Sequence, residues 1–148
     1  MNKSIIIDAS VIAKWLLPDE EDFVANIIKE AFASRAISVS VPILIFYEVN
    51  NLLKSAVLSG RIDVKRAVSL YEAFLDFDFI ICSSKPLLKA TLRKAVELNI
   101  SSYDASYVAL AETLEVPFYT ADEKLVKKAS SNLVKGLDEY LSWLRSHA

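Results

Sequence analysis

The 148 residues include two glycines, one cysteine and one histidine, and each scarcity removes a class of chemistry. With only Gly60 and Gly136, neither a P-loop nor a GxGxxG dinucleotide turn can be written anywhere in the chain. Cys82 stands alone, which excludes an internal disulfide and a cysteine-based zinc cluster. His147 lies next to last, where a fraying terminus is a poor place to fix geometry, so paired-histidine acid–base chemistry and a histidine-rich metal site are not expected. The longest apolar stretches, Ile5 to Ile7 and Val41 to Tyr47, fall far short of the roughly 20 residues that span a bilayer. Met1 to Asp8 lacks the long apolar core and small-residue cleavage site of a secretory leader. No membrane segment and a cytoplasmic location are therefore expected. Lys plus Arg is 17 against 19 Asp plus Glu, a net charge of −2, which excludes a strongly basic nucleic-acid coat and a polyacidic tail.

What is present is a hydrophobic fraction of 53% with 24% charged residues, enough to fold one domain over residues 1–148 around a proper core. Ser4 to Asp8, with its triple isoleucine, reads as a strand buried on both faces. A short helix capped by Ser10 follows, through about Leu17. Pro18 and the acidic run Asp19 to Asp22 mark a break. The next helix has a predicted buried stripe of Phe23, Ile27 and Ala31 with Val24 and Ile28. Ile37 to Val41 reads as a second strand, and Ile45, Val49, Leu52, Leu53 and Ala56 as a helix ended by Gly60. Asp63 caps a further helix on Val64, Ala67, Val68, Tyr71, Phe74 and Leu75. Phe77 to Cys82 is expected as a third strand, Pro86 to Leu98 and Ser102 to Leu114 as helices, and Pro117 to Thr120 as a fourth strand. A short helix starts at Asp122, a fifth strand is expected at Asn132 to Val134, and a closing helix at Leu137 to Arg145. Strands alternating with helices predict an α/β fold with a mostly parallel sheet of four to five strands covered on both faces. Functional groups in such folds gather beyond the carboxyl ends of the strands.

Four acids stand out against that rule. Asp8 terminates the first strand, as a metal ligand or nucleophile, or as a turn residue ahead of the Ser10 cap. Glu48 shares a helix face with Ile45 and Leu52, so it is directed partly inward and needs a cation, a metal or a proton to be tolerated there. Asp104 follows Ser101 by three residues, which also reads as an acidic capping box. Small residues on the same helix, Ala105, Ser106, Ala109 and Ala111, would let it approach the sheet. Asp122 lies two residues after Thr120 and can equally cap the helix that begins with Glu123. Glu123 itself suits a helix-dipole role and is left outside the site. Two acids follow strand ends and two lie on helices that can reach the same edge. Convergent carboxylates repel and raise one another's pKa values unless something positive sits between them. With oxygen donors alone, a hard divalent cation, Mg²⁺ or Mn²⁺, is expected rather than zinc. Such a site can activate water and neutralise a phosphodiester.

The segments Ile6-Ile7-Asp8-Ala9-Ser10, Tyr47-Glu48-Val49-Asn50-Asn51-Leu52, Tyr103-Asp104-Ala105-Ser106 and Tyr119-Thr120-Ala121-Asp122 closely resemble the ordered acidic motifs of PIN-domain ribonucleases, most of all the small VapC-type toxins of toxin–antitoxin pairs. The resemblance covers nearly the whole chain. It implies a three-layer sheet fold and Mg²⁺ or Mn²⁺ held by Asp8, Glu48, Asp104 and Asp122, with water attacking RNA in line to leave a 5′-phosphate and a 3′-hydroxyl. Ser10, Asn51 and Thr120 match the polar positions that support the acids. A homodimer and a cognate VapB-type antitoxin, its tail across the acidic cleft, are also implied.

Residues 51–100 carry eight Lys or Arg against five Asp or Glu. Lys85, Lys89 and Arg93 repeat along one helix side, either as RNA phosphate contacts or as an ordinary solvated face. Trp15, Leu16, Leu17 and Phe46 are candidates for an interface or for the core. A haloacid-dehalogenase-type phosphatase would want an aspartate two positions after Asp8, where this chain has Ser10. A receiver domain would want an adjacent acidic pair after the first strand, which is absent. A non-catalytic PIN-like module that binds RNA or protein is the remaining alternative, disfavoured by retention of all four acids.

Overall fold

The computed structural model describes residues 3–147. Strand β1 (Lys3–Ile7) leads through helix α1 (Ala9–Leu16), a 3₁₀ turn at Pro18–Glu20 and α2 (Phe23–Ala33) to β2 (Ile37–Pro42). Helices α3 (Ile45–Leu58) and α4 (Val64–Leu75) precede β3 (Ile80–Cys82), and α5 (Lys85–Leu98) and α6 (Ser102–Leu114) precede β4 (Phe118–Thr120). The chain closes with α7 (Glu123–Ala129), β5 (Val134–Gly136) and α8 (Glu139–His147).

The five strands form one sheet in the order β3-β2-β1-β4-β5, and every pair is parallel. The chain therefore starts in the middle, builds one side through β2 and β3, then returns to build the other through β4 and β5. Right-handed crossovers in opposite directions put helices on opposite faces, giving the three layers. The order reverses between β1 and β4, and a crevice opens beyond the carboxyl ends of strands at such a switch. Ile5, Ile6 and Ile7 are fully buried, as a central strand covered on both sides requires. Helix α6 packs on β1, β2 and β4 and lies tightly against α5. Every residue from Ala105 to Ala111 is buried, and the small side chains among them permit that close approach.

Several boundaries differ from the sequence pattern. The third strand begins at Ile80 rather than Phe77, because Phe77 and Phe79 turn their rings into an aromatic cluster with Trp15, Phe32, Phe74 and Phe46. The fifth strand lies at Val134–Gly136, later than Asn132 to Val134, and the closing helix likewise starts and ends later than its apolar pattern suggests. Phe23 is largely exposed, because the buried face of α2 is centred on Val24, Ala25, Ile28 and Phe32. Trp15, Leu16 and Leu17 are core residues, with the Trp15 indole donating to the Ala25 carbonyl at 2.8 Å. Phe46 packs on Phe74 and Phe79. None of these four forms an exposed interface. Gly60, at φ +79°, follows the end of α3 as a left-handed stop.

Candidate functional site

Asp8 caps α1 in place of Ser10: its carboxylate accepts from the Ser10 amide at 3.2 Å. The cap arises because β1 hands directly into α1, leaving Asp8 extended at the helix start. Asp8 is 7% exposed. Both hydroxyls beside it donate to it, Ser10 to Oδ1 at 2.5 Å and Thr120 to Oδ2 at 2.6 Å. Those hydroxyls in turn accept backbone amides, Ser10 from Ala121 at 3.0 Å and Thr120 from Asp122 at 3.0 Å. The ends of β1 and β4 are thus stitched together through one carboxylate. Burial pushes the Asp8 carboxyl up to about 6; the two hydroxyl bonds pull it down, and the charge of Asp104 adds to the rise.

Glu48 sits in the first turn of α3, half-buried, and the Tyr107 hydroxyl of α6 donates to its Oε1 at 2.5 Å. Burial raises the Glu48 pKa, the Tyr107 bond opposes it, and Asp8 and Asp104 raise it further. The phenol of Tyr107 is pushed far up, by burial first and then by Glu48, so it remains a donor. A second hydroxyl, that of Tyr71, donates to the Phe46 carbonyl at 2.6 Å and pins the same first turn. Asp104 is half-buried in the first turn of α6. Its amide donates to the Ser101 cap at 3.1 Å, and its carboxyl is raised by burial and by Asp122, with the Ser101 hydroxyl opposing. Asp122 is exposed and caps α7, accepting from the amides of Lys124 and Leu125 at 3.1 and 3.2 Å. Glu123 is exposed in the first turn of α7.

Asp8, Glu48 and Asp104 therefore lie within electrostatic reach of one another, and Asp122 within reach of Asp104. Among the described residues, none of the four forms an ion pair. No group of three or more acidic, histidine or cysteine side chains among them is gathered closely enough to hold a metal as it stands. Asn51 is exposed, and among the described residues its side chain makes no hydrogen bond to the acids or to any other group. Lys85, Lys89 and Arg93 are exposed on α5 and form no ion pair among the described residues. The row spans about 12 Å along α5, and that helix leads through residues 99–101 into α6, whose first turn carries Asp104. Tyr107 is the residue the motif reading missed; its position three residues after Asp104, on the same helix face, is the available signal.

The donor chemistry fits a hard divalent cation: all-oxygen ligands, uncompensated negative charge, and a buried carboxyl driven toward protonation for want of a positive neighbour. Among the described residues, the Ser101 hydroxyl is the group that hydrogen-bonds the Asp104 carboxyl.

The PIN domain family matches residues 5–130. Ribonuclease VapC3 of Pyrobaculum aerophilum is 30% identical over 126 residues, covering 84% of this chain and 93% of that protein. Ribonuclease VapC1 of Mycobacterium tuberculosis is 34% identical over 88 residues, 58% of this chain and 64% of that one. The crystal structure of PAE2754 from Pyrobaculum aerophilum superposes with a TM-score of 0.72 over 99% of both chains at 25% identity.

Proposed function

This chain belongs to the PIN domain family, among the VapC-type ribonucleases, and from that premise we propose that it is a Mg²⁺- or Mn²⁺-dependent endoribonuclease acting as the toxin of a type II toxin–antitoxin pair. The observation that supports the reading is that Asp8, Glu48 and Asp104 feel one another's charge beyond the β1–β4 switch point, with no ion pair to any of them among the described residues. An RNA phosphate cannot approach such a group of carboxylates without a compensating cation, because like charges repel strongly at partly buried sites. Asp8, Glu48, Asp104 and Asp122 would hold that ion. When bound, it supplies charge neutralisation at the phosphodiester and lowers the pKa of the attacking water.

The chain's own residues then have separable tasks. Ser10 and Thr120 fix both oxygens of Asp8 and so set the direction of its free lone pairs. Tyr107 does the same for Glu48. Lys85, Lys89 and Arg93 offer phosphate contacts along one side of α5. Leu88, Leu92 and Val96 stand 63%, 64% and 75% exposed on α5, and Ile80 and Ile81 of edge strand β3 are exposed as well; apolar surface of that kind supports burial in a homodimer or against a VapB-type antitoxin. Among the described residues no helix is long and apolar enough to cross a membrane, which accords with a cytoplasmic pair.

The test is purified protein with a panel of labelled RNAs in Mg²⁺, Mn²⁺ or EDTA, alongside Asp8→Asn and Asp104→Asn. Metal-dependent cleavage abolished by either change, with the fold retained by circular dichroism, is the expected result. RNA binding without cleavage, indifferent to metal and to both substitutions, would make the protein a non-catalytic binding module instead.

A further inference from the structure

Two tyrosines next to the acids are left unused by the carboxylate chemistry. Tyr47 immediately precedes Glu48 and is 79% exposed; Tyr103 immediately precedes Asp104 and is 66% exposed. Among the described residues, neither side chain makes a hydrogen bond or a ring contact, whereas Tyr71, Tyr107, Tyr119 and Tyr140 all pack against other rings. Leaving so much aromatic surface in water gives up the burial that normally stabilises a tyrosine.

Their placement follows from helix geometry. On α6, Tyr103 and Tyr107 are one turn apart and share a face. Tyr107 reaches Glu48 through its hydroxyl, so that face looks toward the first turn of α3. Tyr103 projects from it one turn nearer the helix start, past the Glu48 contact and out into solvent. Tyr47 comes from that same first turn of α3, which the Tyr71 bond to the Phe46 carbonyl holds in place. Two rings, each next in sequence to an acid, are therefore carried on the first turns of two helices that the Tyr107–Glu48 bond joins. One turn after Tyr47 lies Asn51, exposed, with amide groups free to meet the edge of a base.

We propose that Tyr47 and Tyr103 are stacking platforms for the unpaired bases flanking the cleaved phosphodiester, and that they determine which RNA is held in register with the acids. This rests on the ribonuclease reading. A phosphodiester seated among the carboxylates carries a base on each side, and only an unpaired base exposes both its faces to an aromatic side chain. A purely electrostatic grip would leave those bases unconstrained; the rings convert it into positioning.

The experiment measures steady-state cleavage by the full chain of an unpaired, fluorescein-labelled oligoribonucleotide in Mn²⁺, for wild type, Tyr47→Ala, Tyr103→Ala and the two Tyr→Phe variants. Each alanine is expected to raise KM roughly ten-fold with little change in kcat, and each phenylalanine to stay within about two-fold of wild type, because stacking needs the ring and not the hydroxyl. An abasic site beside the cleaved bond should reproduce the loss and abolish the difference between wild type and alanine variant. Anisotropy of the same oligonucleotide on Asp8→Asn proteins, with and without Tyr47→Ala and Tyr103→Ala, separates the two readings. Cleavage by wild type with unchanged KM and unchanged RNA affinity in the alanine variants overturns the platforms alone, and would leave the rings to a protein partner. Affinity lost on Tyr→Ala in a protein that cleaves nothing overturns the nuclease and keeps the platforms.

Discussion

The Thr120 hydroxyl donates to Asp8 Oδ2 at 2.6 Å across 112 positions of sequence, and through it the last residue of β4 fixes the carboxylate that follows β1. The same hydroxyl oxygen receives the amide of Asp122, so a single side chain relates two of the four acids. Thr120→Val keeps the shape and removes the donor. We expect it to lower stability by about 1–3 kcal/mol, the cost of an unmade bond to a buried, partly charged acceptor, with Thr120→Ser retaining most of it. Urea unfolding midpoints at pH 7.5 check this.

The raised pKa of Asp8 makes the metal-free fold pH-sensitive. Its folded value, about 6, lies above the ordinary 3.8, so its favourable contribution is complete below about pH 4 and is lost as pH rises through 6. Glu48 and Asp104 shift in the same direction. In EDTA the protein should melt at a higher temperature at pH 5 than at pH 7.5. Asp8→Asn should flatten that difference and raise Tm at pH 7.5.

Divalent ion should reverse the penalty. Mn²⁺ at about 100 times its Kd is expected to stabilise the wild type by about 2.7 kcal/mol through mass action. Thermal melts with EDTA and Mn²⁺ add-back should show the increment in wild type and its loss in Asp8→Asn and Asp104→Asn.

Tyr107→Phe leaves a half-buried carboxylate without its donor. Cleavage should fall by roughly ten-fold, the worth of one misoriented ligand partner, while Phe118 stacking keeps the core packed. Single-turnover rates against thermal stability distinguish orientation from unfolding.

Charge reversal at Lys89 and Arg93 tests the α5 row. Removing one phosphate-binding cation should reduce the slope of log affinity against log salt by about 0.7 on single-stranded RNA. An unchanged slope would return the row to ordinary solvated surface.

Much of the architecture is legible from periodicity, because β1 is a run of isoleucines and α3 and α4 repeat their apolar residues at helical spacing. The limits have local causes. Phe77 and Phe79 have the composition of a strand, yet their rings are drawn into a cluster formed with Trp15 and Phe32, which no local pattern reveals. Phe23 reads as core but faces water because the buried face of α2 is centred on Val24, Ala25, Ile28 and Phe32. At the site, motif order marks the acids and the hydroxyl residues, whereas Tyr107 has the look of a core residue, and it serves both ends: its ring stacks on Phe118 while its hydroxyl reaches Glu48. Asn51 matches a motif position one turn after Glu48, yet its side chain is exposed and finds no hydrogen-bond partner among the described residues, which helical spacing alone does not reveal.

The most direct test is an anomalous difference map from crystals soaked in Mn²⁺. The account predicts a peak with oxygens of Asp8 and at least one of Glu48 and Asp104 in direct coordination, as hard cations take oxygen ligands, reached by movement of side chains that do not yet form a ligand set among the described residues. A map without a peak at the carboxyl end of β1, with those oxygens still directed away from one another, would contradict it.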